Sequence, residues 1–368
     1  MRILFISAAN KQFDGRTRAL LEILKSFAEV FEITSTNGED VYKEREFLVH
    51  MNGSKGYLSF INKAISIGEK IGDIDCLFID NRKATIPGIR LKRILNPGMV
   101  VYDARELYLK EEVNGISGKI GCHFEEKMIS MADIVICANK ERREIMLDKF
   151  KHKGTILVFE NFRKLRFSEN ADLEKIKAKY SEYFQKDAFR IVSTAGCELA
   201  RGTKELILAC NNLSYNYELY LVGCKDDSDR MEIEEMIRDL DIEHVNLVPR
   251  IPQDELKYFI TQCDAGVAIY HKKNANNLYC SSGKVYEYIY EGIPIAVSDN
   301  PTLANLVNTY GVGVSGSDMR SVLEEIYHSY DRYKNNVDLF INLQIVEKGQ
   351  QSFKKELTEI MMGGINEN

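Results

Sequence analysis

Short apolar segments rich in β-branched residues alternate with amphipathic segments along nearly the whole chain. The apolar segments have the length of single strands, and the amphipathic segments repeat their apolar residues with helical spacing. Strands that are apolar on both faces and alternate with helices are typical of a parallel sheet covered on both sides. In the first half the pattern predicts strands at 2–7, 31–34, 76–80, 99–103, 134–138 and 155–159.

The alternation stops at 166–188, which is charged and helical in character, and we interpret this stretch as a connector. Further strands are predicted at 190–195, 218–222, 245–248, 265–270, 293–298 and 312–315. The sequence therefore predicts an α/β protein with two tandem Rossmann-like domains, at 1–165 and 189–342. We expect both sheets to turn their carboxyl ends toward a common cleft. The final predicted helix, 343–361, either caps the second domain or packs back on the first.

Composition narrows the class of protein. A chain of 368 residues is long enough for two cores, and its net charge of −6 provides no positive field for nucleic acid. The eight cysteines form no C-x-x-C pair, which indicates reduced thiols and a cytoplasmic protein. No apolar run approaches the roughly 18 residues that cross a bilayer, so membrane contact would be peripheral, at the inner face.

The most informative segment is 280–292, where small residues open a predicted helix and Gly292 closes it. The first amides of a helix attract an anion, and Ser282 and Gly283 supply them here. Lys284 adds a positive charge. Glu287, three residues later on the same face, places a carboxylate where it can accept hydrogen bonds from ribose hydroxyls. A surface helix with an ordinary cap is the alternative.

The segment 287–295 (Glu-Tyr-Ile-Tyr-Glu-Gly-Ile-Pro-Ile) resembles the helix that carries the second Glu of the E-x7-E motif in retaining GT-B glycosyltransferases of family four, also called group 1. The resemblance implies that Glu287 holds the ribose of a nucleotide-sugar donor and that the preceding amides hold its diphosphate. Tyr279 stands where this family has its first Glu, so recognition of the sugar ring by that Glu is not implied.

Two further segments of the second half resemble donor-binding segments of this family. After the strand that ends near Gly196, an Arg-Gly pair opens a helix, and the resemblance implies that Arg201 stabilises the leaving diphosphate. The family often has an Arg directly after the strand glycine; this chain has Cys197, so Lys204 or Lys284 would compensate. The loop after the strand 245–248 resembles the family's loop against the base, with Arg250 and Ile251 as the contacts.

The first half offers a donor contact and an acceptor contact. Gly15 opens the helix after the first strand, where the family often has two glycines near the donor phosphates; the absence of G-x-G-x-x-G argues against a dehydrogenase. The segment 100–108, at the end of the predicted strand 99–103, resembles the family's acceptor-lining segment, with Arg105 in place of a His. Since Arg cannot act as a base, Asp103 and Glu106 are the candidates for orienting the acceptor or for the catalytic base. Structural pairing of Arg with these carboxylates is the alternative.

The resemblance implies a metal-independent hexosyl- or related transferase without a further cofactor. It would move a sugar from a nucleotide diphosphate donor, UDP slightly favoured over GDP, to a saccharide or lipid-linked saccharide. Retention of configuration and a role in surface polysaccharide or glycolipid assembly are implied as well. A noncatalytic nucleotide-sugar-binding protein and a two-lobed nucleotide-sugar epimerase are the alternatives. A basic cluster between Arg82 and Arg93, interleaved with Ile86, Ile89 and Leu91, is either a membrane-facing surface or an ordinary solvated helix.

Overall fold

A computed structural model describes residues 1–12 and 14–363 of the chain. The chain forms two compact units. Unit 1 comprises Met1–Asn161 together with the chain from Glu347 onward, and unit 2 comprises Phe162–Val346.

Unit 1 is built on an eight-stranded sheet with the order β3-β4-β2-β1-β5-β6-β7-β8. Among the strand pairs that the structure describes in this sheet, only β3–β4 is antiparallel. The strands are β1 (Arg2–Ser7), β2 (Glu29–Thr36), β3 (Val41–Tyr42), β4 (Glu46–His50), β5 (Cys76–Asp80), β6 (Met99–Ala104), β7 (Ile134–Cys137) and β8 (Thr155–Val158). The central strands β1, β5 and β6 are buried almost throughout, as their uninterrupted apolar residues require.

Helices cover both faces of this sheet. They are α1 (Gly15–Lys25), α2 (Gly53–Ile71), α3 (Thr85–Leu95), α4 (Ile116–Met131) and α5 (Lys140–Phe150). The Asp14 side chain caps α1 by accepting a hydrogen bond from the Thr17 amide at 2.8 Å.

Unit 2 contains a parallel six-stranded sheet with the order β11-β10-β9-β12-β13-β14. Its strands are β9 (Phe189–Ser193), β10 (Tyr217–Cys224), β11 (Val245–Pro249), β12 (Ala265–Ala268), β13 (Ile295–Ser298) and β14 (Gly313–Gly316). The prediction of two Rossmann-like sheets is confirmed.

Two separate apolar clusters cover the faces of the second sheet. The helices of this unit are α6 (Leu173–Tyr180), α7 (Thr203–Cys210), α8 (Ser228–Asp239), α9 (Gln253–Thr261), α10 (Ala275–Leu278), α11 (Gly283–Tyr290), α12 (Pro301–Tyr310), α13 (Met319–His328) and α14 (Tyr330–Asn342). Helix α6 lies within the predicted connector, and its Tyr180 ring packs edge-on against Phe259 of α9, 5.5 Å between centroids.

The last helix, α15 (Ile345–Gly363), runs from unit 2 into unit 1. Within unit 1, the Phe353 ring stacks on Phe159 with 4.4 Å between the ring centroids. Leu357 and Met361 follow one and two turns later and are fully buried in the same cluster. An apolar stripe at helical spacing therefore fastens this helix to the first sheet.

Cys197 and Cys224 form a disulfide bond, although the sequence indicates reduced thiols. The sequence does not indicate this bond by an adjacent pair or a C-x-x-C spacing, because the two cysteines are 27 positions apart. They come together because they follow or end the neighbouring strands β9 and β10, which leaves their Cα atoms 5.1 Å apart. The other six cysteines are buried and carry reduced thiols.

We expect reduction of this disulfide to lower the free energy of unfolding of unit 2 by about 2 kcal/mol, because the reduced unfolded chain regains the freedom of the loop that the bond closes. Urea unfolding with and without a reductant measures the difference. The Cys197→Ser, Cys224→Ser double variant should be insensitive to the reductant. Alkylation of both thiols in urea without prior reduction would show that the bond is not formed.

Candidate functional site

The N-terminus of α11 is held in place by an aromatic side chain. Ser282 precedes the helix, and its side chain does not cap it. Instead, the Ser282 Oγ lies 2.9 Å from the Tyr270 hydroxyl, which donates to it. The side chain of Ser282 therefore leaves the amides of the first turn to another acceptor. These amides carry the positive end of the helix dipole.

Lys284 places an ammonium group beside this turn. Within residues 1–12 and 14–363, no side chain forms a hydrogen bond or an ion pair with it. Burial, and after it the nearby charge of Arg201, lowers the pKa of Lys284 to about 8. A half-buried cation without an anionic partner, next to a second cation, is typical of a site that binds an anion.

Arg201 ends a short 3-10 turn, Leu199–Arg201, and two neighbours orient its guanidinium. The group lies 4.4 Å above the Tyr270 ring, and its Nη1 donates a hydrogen bond to Asn277 Oδ1 at 3.0 Å. Glu198 lies 3.7 Å from Nε but is half exposed, so solvent screens much of its charge. Tyr270 thus contacts both Arg201 and the start of α11.

Glu287 lies one turn further along α11 and is buried, with 4% of its side chain exposed. Burial raises the pKa of its carboxyl group, while the charges of Arg163 and Lys284 act in the opposite direction. Arg163 Nη1 lies 3.2 Å from Glu287 Oε1. The structure thus brings the predicted Arg201, Lys284 and Glu287 to one end of α11.

Two close contacts fix α11 against the strand ends. The Tyr288 hydroxyl accepts a hydrogen bond from the Thr194 amide at 2.9 Å, and its ring covers Gly266, where a Cβ atom would lie 2.2 Å from the ring. Gly196 has a φ of +62°, and a Cβ atom there would lie 2.6 Å from the Gly223 carbonyl carbon. Only glycine fits that turn, which precedes Arg201.

The remaining predicted donor contacts of unit 2 lie apart from this group. Lys204 is in the first turn of α7, and its ammonium pairs with Glu232 of α8. Arg250 follows β11 and is exposed, whereas Ile251 is half-buried against the core beneath α11. Their contact with a base stays a prediction, and the ion pair of Lys204 competes with any role in binding phosphate.

In unit 1, the predicted Asp103 is part of a buried charge cluster. Both oxygens of Asp103 accept hydrogen bonds from the Arg16 guanidinium at 2.7 Å. Arg105 donates to both oxygens of Asp80 and also pairs with Asp14. Asp80 and Asp103 are fully buried. Because Asp103 is fully buried and both of its oxygens are paired with Arg16, it could contact a ligand only if Arg16 moved.

Glu106 and Gly15 are the more accessible residues of this unit. Glu106 follows β6 and is exposed. Gly15 begins α1, and apart from its chain neighbours and the helix backbone no atom of the described residues lies within 4 Å of the position that a Cβ atom would take. The open space at Gly15 is compatible with the approach of a ligand to the backbone.

Sequence analysis did not identify Tyr270, Asn277 or Arg163 as site residues. Tyr270 lies just past the carboxyl end of β12, a position at which parallel sheets often bind ligands, so it could have been suspected. Asn277 lies in the short helix α10 and Arg163 in the segment that begins unit 2. Their contacts depend on packing between residues far apart in sequence.

In the basic cluster between Arg82 and Arg93, the fold separates the apolar side chains from the cations. Ile89 and Leu91 are buried in α3, so they do not form a surface with the neighbouring cations. In the part of the chain described by the structure, no helix is long and apolar enough to cross a membrane. The same residues contain no group of three or more His, Cys, Asp or Glu side chains able to hold a metal ion.

Known proteins are similar to this chain in structure but not in sequence. No family model matches it, and neither does any curated protein. Sucrose-phosphate synthase from Thermosynechococcus elongatus has a TM-score of 0.71 and 14% identity over 100% of this chain and 98% of its own. HepE from Anabaena, in complex with UDP and glucose, has a TM-score of 0.72 and 16% identity over 98% of this chain and 100% of its own.

A glycosyltransferase from Rickettsia africae has a TM-score of 0.70 and 15% identity over 98% of both chains. Identities this low establish the fold alone. The chain therefore has the two-domain α/β fold of the GT-B glycosyltransferases.

Proposed function

We propose that this protein is a glycosyltransferase that takes a sugar from a nucleoside diphosphate donor, with a UDP-sugar preferred over a GDP-sugar. The observation that carries the proposal is the ammonium of Lys284 beside Arg201 at the N-terminus of α11, which has no side-chain partner among the described residues. Two cations and a set of helix amides fit a diphosphate. The buried carboxylate of Glu287 is in the same helix, where it can accept hydrogen bonds from ribose hydroxyls.

The cations also suit the chemistry of transfer. Negative charge accumulates on the diphosphate as the bond to the sugar breaks, and a fixed guanidinium stabilises that charge. We assign this stabilisation of the leaving diphosphate to Arg201, which Tyr270 and Asn277 orient. Lys284 adds a second positive charge. These groups supply the charge that a divalent cation provides in other transferases, so we propose a metal-independent reaction.

We assign the acceptor, a saccharide or lipid-linked saccharide, to unit 1. Glu106 is exposed and is the preferred carboxylate for orienting the attacking hydroxyl, while Asp103 is held by Arg16. Retention of the anomeric configuration is proposed from the resemblance of the segment 287–295 to retaining enzymes. A role in surface polysaccharide or glycolipid assembly rests on the same resemblance. A product with inverted configuration would overturn retention.

Calorimetric titration with UDP, GDP, ADP and their common sugar derivatives tests donor binding. We expect one nucleotide to bind wild type and, at 100 times its Kd, to stabilise the fold by about 2.7 kcal/mol. Lys284→Met and Glu287→Ala should weaken that binding. Arg238→Met, which removes an exposed cation from α8, is the matched control and should bind as wild type does. Failure of every nucleotide to bind the folded wild type would refute the proposal.

A noncatalytic nucleotide-sugar-binding protein is the second candidate. The observation in its favour is the buried charge cluster of unit 1, in which Arg16 pairs with Asp103 and Arg105 pairs with Asp80. These carboxylates are therefore already engaged by arginines. Release of the nucleoside diphosphate from the bound donor in the presence of a panel of acceptors distinguishes the two. Turnover that Glu106→Gln abolishes supports the transferase.

A further inference from the structure

Three consecutive residues at the start of unit 2 lie along α11. The Phe162 ring packs edge-on against Tyr286, with 4.9 Å between the centroids. Arg163 pairs with Glu287, and the Lys164 ammonium lies 4.5 Å above the Tyr290 ring. We call residues 162–164 the α11 strap. Its contacts place the Arg163 guanidinium over the carboxylate that is proposed to hold the ribose.

The ion pair with Arg163 affects the ionisation of Glu287, because Glu287 is buried. A carboxylate with 4% of its side chain exposed loses most of its hydration, so it either takes up a proton or needs a nearby cation. Arg163 supplies that cation by direct contact, and 54% of its own side chain remains exposed, so its own loss of hydration is small. Glu287 Oε2 carries no hydrogen bond within the described part of the chain and is left for a ligand.

The charged groups that face Glu287 come from two segments. Arg163 comes from the α11 strap, and Lys284 and Glu291 come from α11 itself. Glu291 acts against ionisation of Glu287, but it is paired with Lys257. Lys284 lies one turn away, toward the helix N-terminus. Arg163 is therefore the cation that contacts the Glu287 carboxylate directly.

We propose that Arg163 is a positioning residue that holds the Glu287 carboxylate ionised and oriented, so that Oε2 accepts hydrogen bonds from the ribose hydroxyls of the donor. The inference rests on the proposed function, since it assumes that a nucleoside diphosphate binds at α11. It also extends that function, because it assigns part of the recognition of ribose to a residue outside the helix. Arg163 acts on the ribose through Glu287 and need not contact the donor.

The experiment compares two ligands that differ only in the ribose hydroxyls. UDP and 2′,3′-dideoxy-UDP are titrated calorimetrically into wild type, Arg163→Met, Arg163→Lys and Arg166→Met at pH 6 and pH 8. Arg166 is exposed and three residues further along the chain, so Arg166→Met is the matched control. If the nucleotide panel selects GDP or ADP, the corresponding pair of ligands is used.

We expect Arg163→Met to weaken UDP binding about ten-fold at pH 6, because loss of the Arg163 charge raises the pKa of the buried Glu287 carboxyl further and leaves the carboxylate unoriented, which weakens its hydrogen bonds to the ribose. Binding of dideoxy-UDP should be unchanged, which also shows that the variant is folded. The loss for UDP should be smaller at pH 8. Arg163→Lys should recover most of it, and Arg166→Met should equal wild type.

The ratio of the two affinities isolates the ribose contribution. Lys284, whose pKa is about 8, alters the affinity for the diphosphate over the same pH range, but it does so for both ligands. Unchanged or tighter UDP binding by Arg163→Met, or an equal loss for both ligands, would overturn the inference while leaving the proposed function intact. Absence of nucleotide binding to wild type would overturn both.

Discussion

Replacement of Arg105 by methionine is expected to lower the free energy of unfolding of unit 1 by about 3–5 kcal/mol, because it leaves buried negative charge without its partner. Arg105 donates to both oxygens of Asp80, at 2.6 Å for the Nη2–Oδ2 pair, and also pairs with Asp14. Burial raises the pKa of Asp80, and the charge of Arg105 opposes that shift. Without the guanidinium, the Thr17 hydroxyl, 3.0 Å from Oδ2, remains as a donor to Asp80.

Hydrogen exchange of the β5 and β6 amides measures this loss separately from events in unit 2. Arg93→Met is the matched control, because Arg93 is an exposed arginine of α3 and its replacement should change stability by no more than about 0.5 kcal/mol. An equally small effect for Arg105→Met would show that water reaches Asp80 and replaces the guanidinium.

A second substitution tests the electrostatic explanation. In the Arg105→Met background, Asp80→Asn removes the orphaned charge, so the double variant should be more stable than Arg105→Met alone. If the loss came from missing packing of the long side chain, Asp80→Asn would give no recovery. Asp103 differs from Asp80 because it keeps its own bidentate partner, Arg16, when Arg105 is replaced. Removal of the Asp103 charge should therefore not be needed to restore stability to Arg105→Met.

Local patterns in the sequence were sufficient to predict most of the fold. The central strands could be recognised because each is a continuous apolar run, and this property reflects burial on both faces. The edge strand β3 and its neighbour β4 were missed, since Val41–Tyr42 has two residues and Glu46–His50 is mostly half-exposed and polar at both ends. Edge strands depend on pairing more than on burial, and single-sequence patterns do not report pairing.

The candidate site could be predicted only where its residues are close in sequence. Lys284 and Glu287 are three residues apart in one helix, so their common location follows from helix geometry. The pairing of Arg163 with Glu287 joins residues 124 positions apart and depends on how the chain enters unit 2. The disulfide between Cys197 and Cys224 likewise follows from the order of strands in the sheet, which no local pattern specifies.

The stability of unit 1 is also expected to fall by about 3 kcal/mol between pH 4.5 and pH 7 because of one buried carboxyl group, Glu125 of α4. Tyr102 donates a hydrogen bond to Glu125 Oε1 at 2.6 Å, while the buried Oε2 has no hydrogen-bond partner in the portion of the chain that the structure describes. Burial raises the pKa of Glu125 from 4.5 to about 7; the Tyr102 hydrogen bond and the charge of Arg82 oppose the shift, and the charges of Glu106 and Glu126 add to it.

The sign of this pH dependence follows from the number of protons that the folded and unfolded chains bind. Below pH 4.5 Glu125 is protonated in the folded and unfolded chains, so it imposes no penalty. Between pH 4.5 and about 7 the unfolded chain releases the proton first, which favours unfolding progressively; above that range the penalty is constant.

Glu125→Gln removes the titration, so this variant should gain stability relative to wild type as the pH rises from 5 to 8. Glu126→Gln, the same change at the next and less buried position of α4, should show no such gain in hydrogen exchange of the β6 amides. A pH-independent difference between Glu125→Gln and wild type would mean that Glu125 is ionised in the folded protein throughout this range, with its charge compensated by water or by Arg82.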